Sequence, residues 1–326
     1  MDTYRLEAFR REHEILKGLL GVGRCLQVAS DLCRFPLQVP MSGGKSIPIT
    51  CEYFAIEWIE QEIDQYFLGQ EKYSAREKIK LFISLTTSIE ALHSHEVFHR
   101  DLKPDNLRRN GLTNTAQGDV VAIDLGTAAK YTSSRIQPDY SRSVGAFGYA
   151  APETQCGLAG NRRIAKFTDI FALGCMLFEL FNKDYYIAAC IKANPNYPVW
   201  ISAMRASISH TNDDRVQLRN WDTLLNSLSM SMISPSLNGT SSDVPPGVGA
   251  MLNELCKSLT HVDYRRRPSV AWARARARSA LTVLENEVLY QRKLERSRAI
   301  RARRVEKARE RQNRLELALS VKGLQC

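Results

Sequence analysis

Apolar residues near the amino terminus, Leu6, Phe9 and Leu16 with Ile15 and Leu19–Leu20, recur at close to helical spacing. The segment predicts an amphipathic helix, ended by a turn at Gly18, Gly21 and Gly23. Two segments, Arg24–Ala29 and Tyr53–Ile59, are read as strands. Gly43-Gly44-Lys45-Ser46 predicts a flexible loop between two strands. A phosphate-loop reading of that tetrad fails, because its first glycine would fall on Val39. Phe171 to Phe181 is apolar apart from Glu179, which predicts a buried helix too short to span a bilayer. Asn194-Pro195-Asn196-Tyr197-Pro198 predicts a turn, and Ser227–Pro246, rich in Ser and containing Asn238-Gly239, predicts a surface loop.

Beyond Pro268 the chain has no proline, and Ala, Leu, Glu, Arg and Lys dominate, so the carboxy-terminal region predicts a long helix. Leu281, Leu284 and Val288 begin one apolar seam, and Val305, Ala308, Leu315 and Leu319 form another. Glu295 and Arg298 break the register between them, which does not support a continuous coiled coil.

Charge sharpens this division. The net charge is +10 over 326 residues, yet the segment from Ala271 onward holds 15 Lys or Arg against 6 Glu. The preceding 270 residues hold 30 basic against 29 acidic side chains, so the tail carries the excess. A basic helix suits an acidic partner or a solvated surface. The absence of aromatic residues after Tyr290 removes base-stacking platforms and argues against nucleic acid. The eight cysteines lack Cys-x-x-Cys spacing, which fits reduced, packed thiols in a cytoplasmic protein and neither a metal nor a disulfide framework. Charged residues follow Met1 at once, so no amino-terminal signal or membrane segment is expected.

The chemistry concentrates in His99-Arg100-Asp101-Leu102-Lys103-Pro104-Asp105-Asn106, which sets a carboxylate, a cation and an amide at fixed offsets on one loop. Asp124-Leu125-Gly126, Gly148-Tyr149-Ala150-Ala151-Pro152-Glu153, Asp169 at the head of an apolar run, and Arg267-Pro268 follow in order. From about Glu7 to just past Ser269 these segments resemble the protein-kinase superfamily in sequence and spacing. Lys103-Pro104 resembles the serine/threonine branch, and Lys103 together with Ala151-Pro152-Glu153 favours a protein hydroxyl over a small-molecule acceptor.

The resemblance implies an α+β, kinase-like fold in which residues 1–60 form part of a small β lobe. Residues 61–280 would form a complete, mainly helical large lobe, and residues 281–326 a basic helical tail. It implies ATP and Mg²⁺ as cofactors and a protein substrate with Ser or Thr. Asp101 would orient and deprotonate the acceptor hydroxyl, Lys103 would neutralise the moving phosphoryl group, and Asn106 and Asp124 would hold the metal. Glu12 would be the helix glutamate that meets a strand lysine, Ile56 the gatekeeper, and Glu57 to Ile59 the hinge against adenine. The glycine-rich strand–turn–strand and the strand lysine have no match here, so the first strands of the small lobe are expected upstream of Met1. Asp169 would brace the catalytic loop and Glu153 would pair with Arg267. Two departures favour a rival reading as a pseudokinase scaffold. Ala146 replaces a threonine that ties the catalytic Asp and Lys together, and Arg108 replaces an apolar floor under adenine, where it must find a partner, stack on the base or turn outward. Arg100 would receive a phosphate on the activation segment, with Thr127, Thr132, Ser133, Ser134, Ser141 and Ser143 as acceptors.

Overall fold

A computed structural model of the chain describes residues 3–110, 119–130, 145–161, 163–211, 213–237 and 244–323. The chain divides into two compact units, 1–280 and 281–326.

The first helix, α1, runs Thr3–Gly18 and buries Ile15 and Leu16. A turn through Gly21, at φ +74°, follows as expected from the glycines. The predicted strands Arg24–Ala29 and Tyr53–Ile59 are reduced to single bridges: Cys25 meets Ala122, and Val28 meets Ile56. The extended ribbon lies between them instead, as β1 (Cys33–Pro40) and β2 (Ser46–Tyr53), paired antiparallel about the Gly43-Gly44 turn. Both glycines there have positive φ, at +91° and +73°, the left-handed backbone a tight turn requires.

Proline dictates how this ribbon pairs. Met41 N–H donates to Lys45 C=O at 2.7 Å, which places the odd-numbered β1 residues at hydrogen-bonded positions. Pro36, Pro40 and Pro48 all fall in the alternate set, whose backbone faces the free edges, where a missing N–H costs nothing. The same alternation puts Phe35, Leu37, Ile47 and Ile49 on one face, each 41–55% exposed. On the other face Glu52 receives Arg10 of α1 at 2.6 Å and Arg34 at 3.3 Å.

β3 (Gln61–Glu62), β5 (Leu107–Arg109) and β6 (Val120–Ala122) form a small antiparallel sheet in the order β3-β5-β6. The short helix α2 (Gln65–Leu68) leads into α3 (Ala75–Ser94). A capping box starts α3: Glu77 N–H donates to Ser74 Oγ at 3.3 Å, and Ser74 N–H donates to Glu77 Oε2 at 2.8 Å. Its buried face carries Ile79, Phe82, Leu85, Ile89 and Leu92 at three- and four-residue steps. β4 (Val97–Phe98) pairs with β7 (Ala129–Lys130), bracketing the catalytic-loop segment.

The remaining first unit is helical: α4 (Pro152–Gln155), α5 (Ala165–Phe181), α6 (Tyr186–Ala193), α7 (Tyr197–Ser209), α8 (Asp214–Ser231), α9 (Pro246–Leu259) and α10 (Val270–Glu285). α5 is buried almost all round, as its apolar run predicts. Gly174 lets α9 approach it, since a Cβ there would sit 2.6 Å from Thr260 Cγ2 and 2.8 Å from Leu259 Cβ. Gly174→Ala should therefore overpack this contact and cost about 1–3 kcal/mol. Urea unfolding checks this, and an unchanged midpoint would mean that α9 has room to move.

The Ser-rich stretch departs from its expectation. Residues Ser227 to Ser231 continue α8 instead of looping. Asp213 starts that helix by accepting from Arg215 N–H at 2.8 Å, and Leu218, Trp221, Leu225 and Leu228 bury one side of it. Asn238-Gly239 lies outside the described residues. The tail is helical as expected: after a turn at Asn286, α11 spans Glu287–Gly323. Among the described residues no helix is long and apolar enough to cross a membrane. Among the described residues seven cysteines are free thiols, five of them buried.

Candidate active site

The catalytic-loop segment hangs from α5. Asp169 is 1% exposed and accepts three hydrogen bonds. His99 N–H donates at 2.8 Å, Arg100 N–H at 2.7 Å and His93 Nε2 at 2.9 Å. His99, fully buried, in turn reaches Ile123 C=O at 2.9 Å, and Ile123 N–H donates to Asn106 C=O at 2.9 Å. This chain of bonds fixes the loop bearing Asp101 to Asn106 against the strand that delivers Asp124.

Asp101 is held at both carboxylate oxygens. Ala146 N–H donates to Oδ1 at 2.8 Å, and Asn106 Nδ2 donates to Oδ2 at 3.2 Å and to Asp101 C=O at 2.9 Å. The backbone of Ala146 thus braces Asp101, but it does not tie Lys103 to it as a threonine hydroxyl was expected to do. Gly145 permits the close approach: it has φ +97°, and a Cβ there would lie 2.9 Å from Arg100 C=O. Lys103 is turned aside, its Nζ 3.5 Å from Asp105 Oδ2.

Asp124 adopts a left-handed conformation, φ 59° and ψ 70°, and its side chain is exposed, while Leu125 is fully buried as the apolar anchor. Glu12 reaches the same turn from α1. Leu125 N–H donates to Glu12 Oε1 at 2.8 Å, and Arg11 Nη2 donates to Gly126 C=O at 2.8 Å. Burial pushes the Glu12 carboxyl up, and the neighbouring Asp124 charge adds to this, against the Leu125 N–H and Arg11, which favour its ionised form.

The donor set suits a hard cation. Asn106 spends its amide N–H on Asp101, so the atom it can offer a cation is Oδ1, and the exposed Asp124 side chain offers carboxylate oxygen. Among the described residues no group of three His, Cys, Asp or Glu forms a metal cage. Two protein oxygens completed by phosphate oxygens and water is the arrangement that fits Mg²⁺.

The segment expected as the hinge is only partly extended. Ile56 is 45% exposed, Ile59 is buried, and Glu57 is tied to Gln27. Glu57 N–H donates to Gln27 C=O at 2.9 Å, and its Oε1 accepts from Gln27 N–H at 2.8 Å. Arg108 takes the outward course: its Nη2 lies 3.3 Å from Glu62 on β3, and its Nη1 donates to Asp105 C=O at 2.9 Å. Glu62 was not singled out from the sequence, because it meets Arg108 only through the β3–β5 register.

Arg100 has no free guanidinium for a phosphate. Its Nε and Nη2 donate to Thr127 C=O and its Nη1 to Ala159 C=O, so it braces the turn. Of the expected acceptors, Thr132, Ser133, Ser134, Ser141 and Ser143 lie outside the described residues, and Thr127 Oγ1 donates to His99 C=O at 3.0 Å. Glu153 and Arg267 form the expected bidentate pair, both side chains fully buried.

Beside Lys103 a cavity of about 540 Å³ opens, lined among others by Asp64, Asp105, Phe147, Tyr149 and Glu179. Tyr149 Oη donates to Glu179 Oε2 at 2.5 Å. Burial pushes Glu179 up to about 7 from its ordinary 4.5, Asp105 adding to the shift and the Tyr149 hydroxyl opposing it. Between these values the native state keeps a proton that the unfolded chain has lost, so stability falls as pH rises through this window. Glu179→Gln, which mimics the protonated acid, should gain stability relative to the parent from pH 5 to pH 8. Paired thermal melts check this, and a pH-independent difference would show that Glu179 is ionised throughout.

Residues 41–278 match the protein kinase domain family. The chain belongs to the protein kinase family. The match takes in the motifs from His99 to Arg267 and begins after Glu12. The alpha subunit of CTD kinase from Saccharomyces cerevisiae is 30% identical over 132 residues, 40% of this chain and 23% of that protein. The serine/threonine-protein kinase PknD of Chlamydia muridarum is 27% identical over 190 residues, 49% of this chain and 19% of that protein. This kinase chain spans about a fifth of the length of these curated relatives. A crystal structure of the yeast RNA Pol II CTD kinase CTDK-1 complex shares its fold, with a TM-score of 0.50 at 19% identity, covering 81% of this chain and 78% of that one.

Proposed function

We propose that this chain is a serine/threonine protein kinase that transfers the terminal phosphoryl group of ATP to a protein hydroxyl. The observation that carries the reading is the double anchoring of Asp101, by Ala146 N–H and Asn106 Nδ2, which holds its carboxylate in one orientation on the loop. From there Asp101 accepts the hydroxyl proton as the new O–P bond forms and the bond from the terminal phosphorus to the bridging oxygen breaks, with ADP leaving. Asn106 Oδ1 and Asp124 would hold Mg²⁺, which when bound neutralises phosphate charge. Lys103 swings from Asp105 to the transferring group. Ile56, Glu57 and Ile59 wall the adenine site, and Glu12 positions the Asp124 turn. The acceptor polypeptide lies across the cavity beside Lys103. In this reading residues 1–60 serve as the small-lobe portion, 61–280 as the catalytic large lobe and 281–326 as a basic helix that meets an acidic partner.

A second reading, a pseudokinase scaffold, is favoured by two observations. Lys103 pairs with Asp105, and Glu12 accepts from a backbone N–H where the family supplies a lysine. The two readings separate in one assay: the purified chain with radiolabelled ATP, Mg²⁺ and peptides containing Ser, Thr or Tyr, followed by phosphoamino-acid analysis. Phosphoserine or phosphothreonine supports the kinase. Nucleotide binding without transfer supports the scaffold, and phosphotyrosine alone overturns the serine/threonine assignment.

A further inference from the structure

The region of α8 builds a feature that shares no lining residue with the catalytic loop. While α8 buries Leu218, Trp221, Leu225 and Leu228, its residues Arg215, Arg219, Asp222, Thr223 and Asn226 follow one another along an adjacent edge. They line an open groove of about 800 Å³, completed by Gly160, Asn161 and Arg163 from the loop ahead of α5 and by Arg265.

The carboxylates of this groove are already engaged. Asp222 accepts from Tyr264 Oη at 3.1 Å and lies 3.8 Å from Arg265 Nη1. Arg265 is further held by Asp263, its Nε at 2.8 Å and its Nη2 at 2.9 Å. Asp214, the other acid in the lining, is also not free. Arg163, Arg215 and Arg219, by contrast, are exposed and have no carboxylate partner among the described residues. Three arginines without a carboxylate partner among the described residues thus line one concave surface.

We infer that this groove docks a phosphorylated serine or threonine segment of a protein partner. Every cation in the lining is arginine, whose planar fork matches a phosphate with two parallel hydrogen bonds, as a lysine ammonium does not. A phosphoryl group brings nearly two negative charges, enough to pair with more than one of these three guanidiniums. The groove is open and far larger than one phosphate. The Asn161 and Asn226 oxygens accept from Arg163 N–H and Arg265 Nη2, and the Thr223 hydroxyl donates to Arg219 C=O. This leaves the two amide N–H groups to donate to, and the hydroxyl to accept from, the flanking peptide backbone. No lining residue is aromatic, so a nucleic-acid strand would find phosphate contacts but nothing on which to stack a base. The groove shares no lining residue with the cavity beside Lys103, so an occupant leaves that cavity open. The inference holds with or without catalytic turnover.

Fluorescence anisotropy of the full chain tests it at about 0.15 M salt, where long-range attraction is largely screened. The probe is a fluorescein-labelled peptide of Gly and Asn around one phosphoserine, set against its unphosphorylated twin and labelled oligodeoxythymidine. The phosphopeptide should bind roughly tenfold or more tightly than its twin. Arg215→Gln/Arg219→Gln should abolish that preference with an unchanged melting temperature. Arg301→Gln/Arg303→Gln/Arg304→Gln, in the basic tail, should keep it. Equal binding of the two peptides overturns the inference, as does a preference that survives the groove substitutions or vanishes with those in the tail. Oligodeoxythymidine binding that is strong and lost with Arg215 and Arg219 would assign the groove to nucleic acid instead.

Discussion

Asp101→Asn should lower the rate of phosphoryl transfer by about 10²–10⁴-fold, the usual contribution of a positioned general base, while the protein stays folded. The substitution keeps the side chain's shape but removes its basicity and turns one acceptor into a donor. In the parent, Asp101 Oδ1 faces Ala146 N–H and Oδ2 faces Asn106 Nδ2, so either orientation of the new amide sets two N–H groups against each other. The stability loss should be about 1–3 kcal/mol, the cost of one stranded polar contact. Binding of ATP·Mg²⁺, followed by thermal shift, should survive in Asp101→Asn and be lost in Asp124→Asn, which separates the proton acceptor from the metal ligand. Parent-like turnover by Asp101→Asn would remove Asp101 from the reaction.

What could be read from the sequence follows from how local each feature is. Asp101, Lys103 and Asn106 lie within six positions on one loop, and their order alone carries a chemical statement. Glu153 and Arg267 are 114 positions apart, yet each sits in a short motif, so the pair could be expected before it was seen. The ribbon β1–β2 was hidden by its prolines, which argue against strands unless all of them fall on the outward-facing register, as they do here. The last turn of α8, Ser227 to Ser231, was hidden by its serines. The signal that could have found it was the spacing of Leu218, Trp221, Leu225 and Leu228 behind the Asp213 cap. The Arg108–Glu62 contact and the Ala146 N–H bond to Asp101 had no local signature, because each exists only through a tertiary register. Arg100 shows the reverse case: its place beside the catalytic aspartate suggested a phosphate receptor, and the fold spends its guanidinium on backbone carbonyls.

Glu153→Ala should destabilise the first unit by about 3–5 kcal/mol, the typical cost of breaking a buried pair by removing one partner. Both side chains are fully buried, and Arg267 also donates to His261 C=O at 2.7 Å, Phe167 C=O at 2.9 Å and Val262 C=O at 3.2 Å. Its guanidinium packs 4.9 Å from the centre of the Phe171 ring. Those carbonyls hold it in place after Glu153 is removed, so the charge stays buried without its counter-ion. For a unit of this size the melting temperature should fall on the order of 10 °C. Replacing both partners with apolar residues of similar bulk, Glu153→Leu with Arg267→Met, removes the stranded charge as well as the pair. The double variant should therefore lose less stability than Glu153→Ala alone, although it strands carbonyls that Arg267 now satisfies. Calorimetry on the three proteins decides the matter. If Glu153→Ala melts with the parent, the pair contributes nothing to the packing of α4 against the segment before α10. If the double variant is the least stable, the hydrogen bonds from Arg267 to the backbone outweigh its charge.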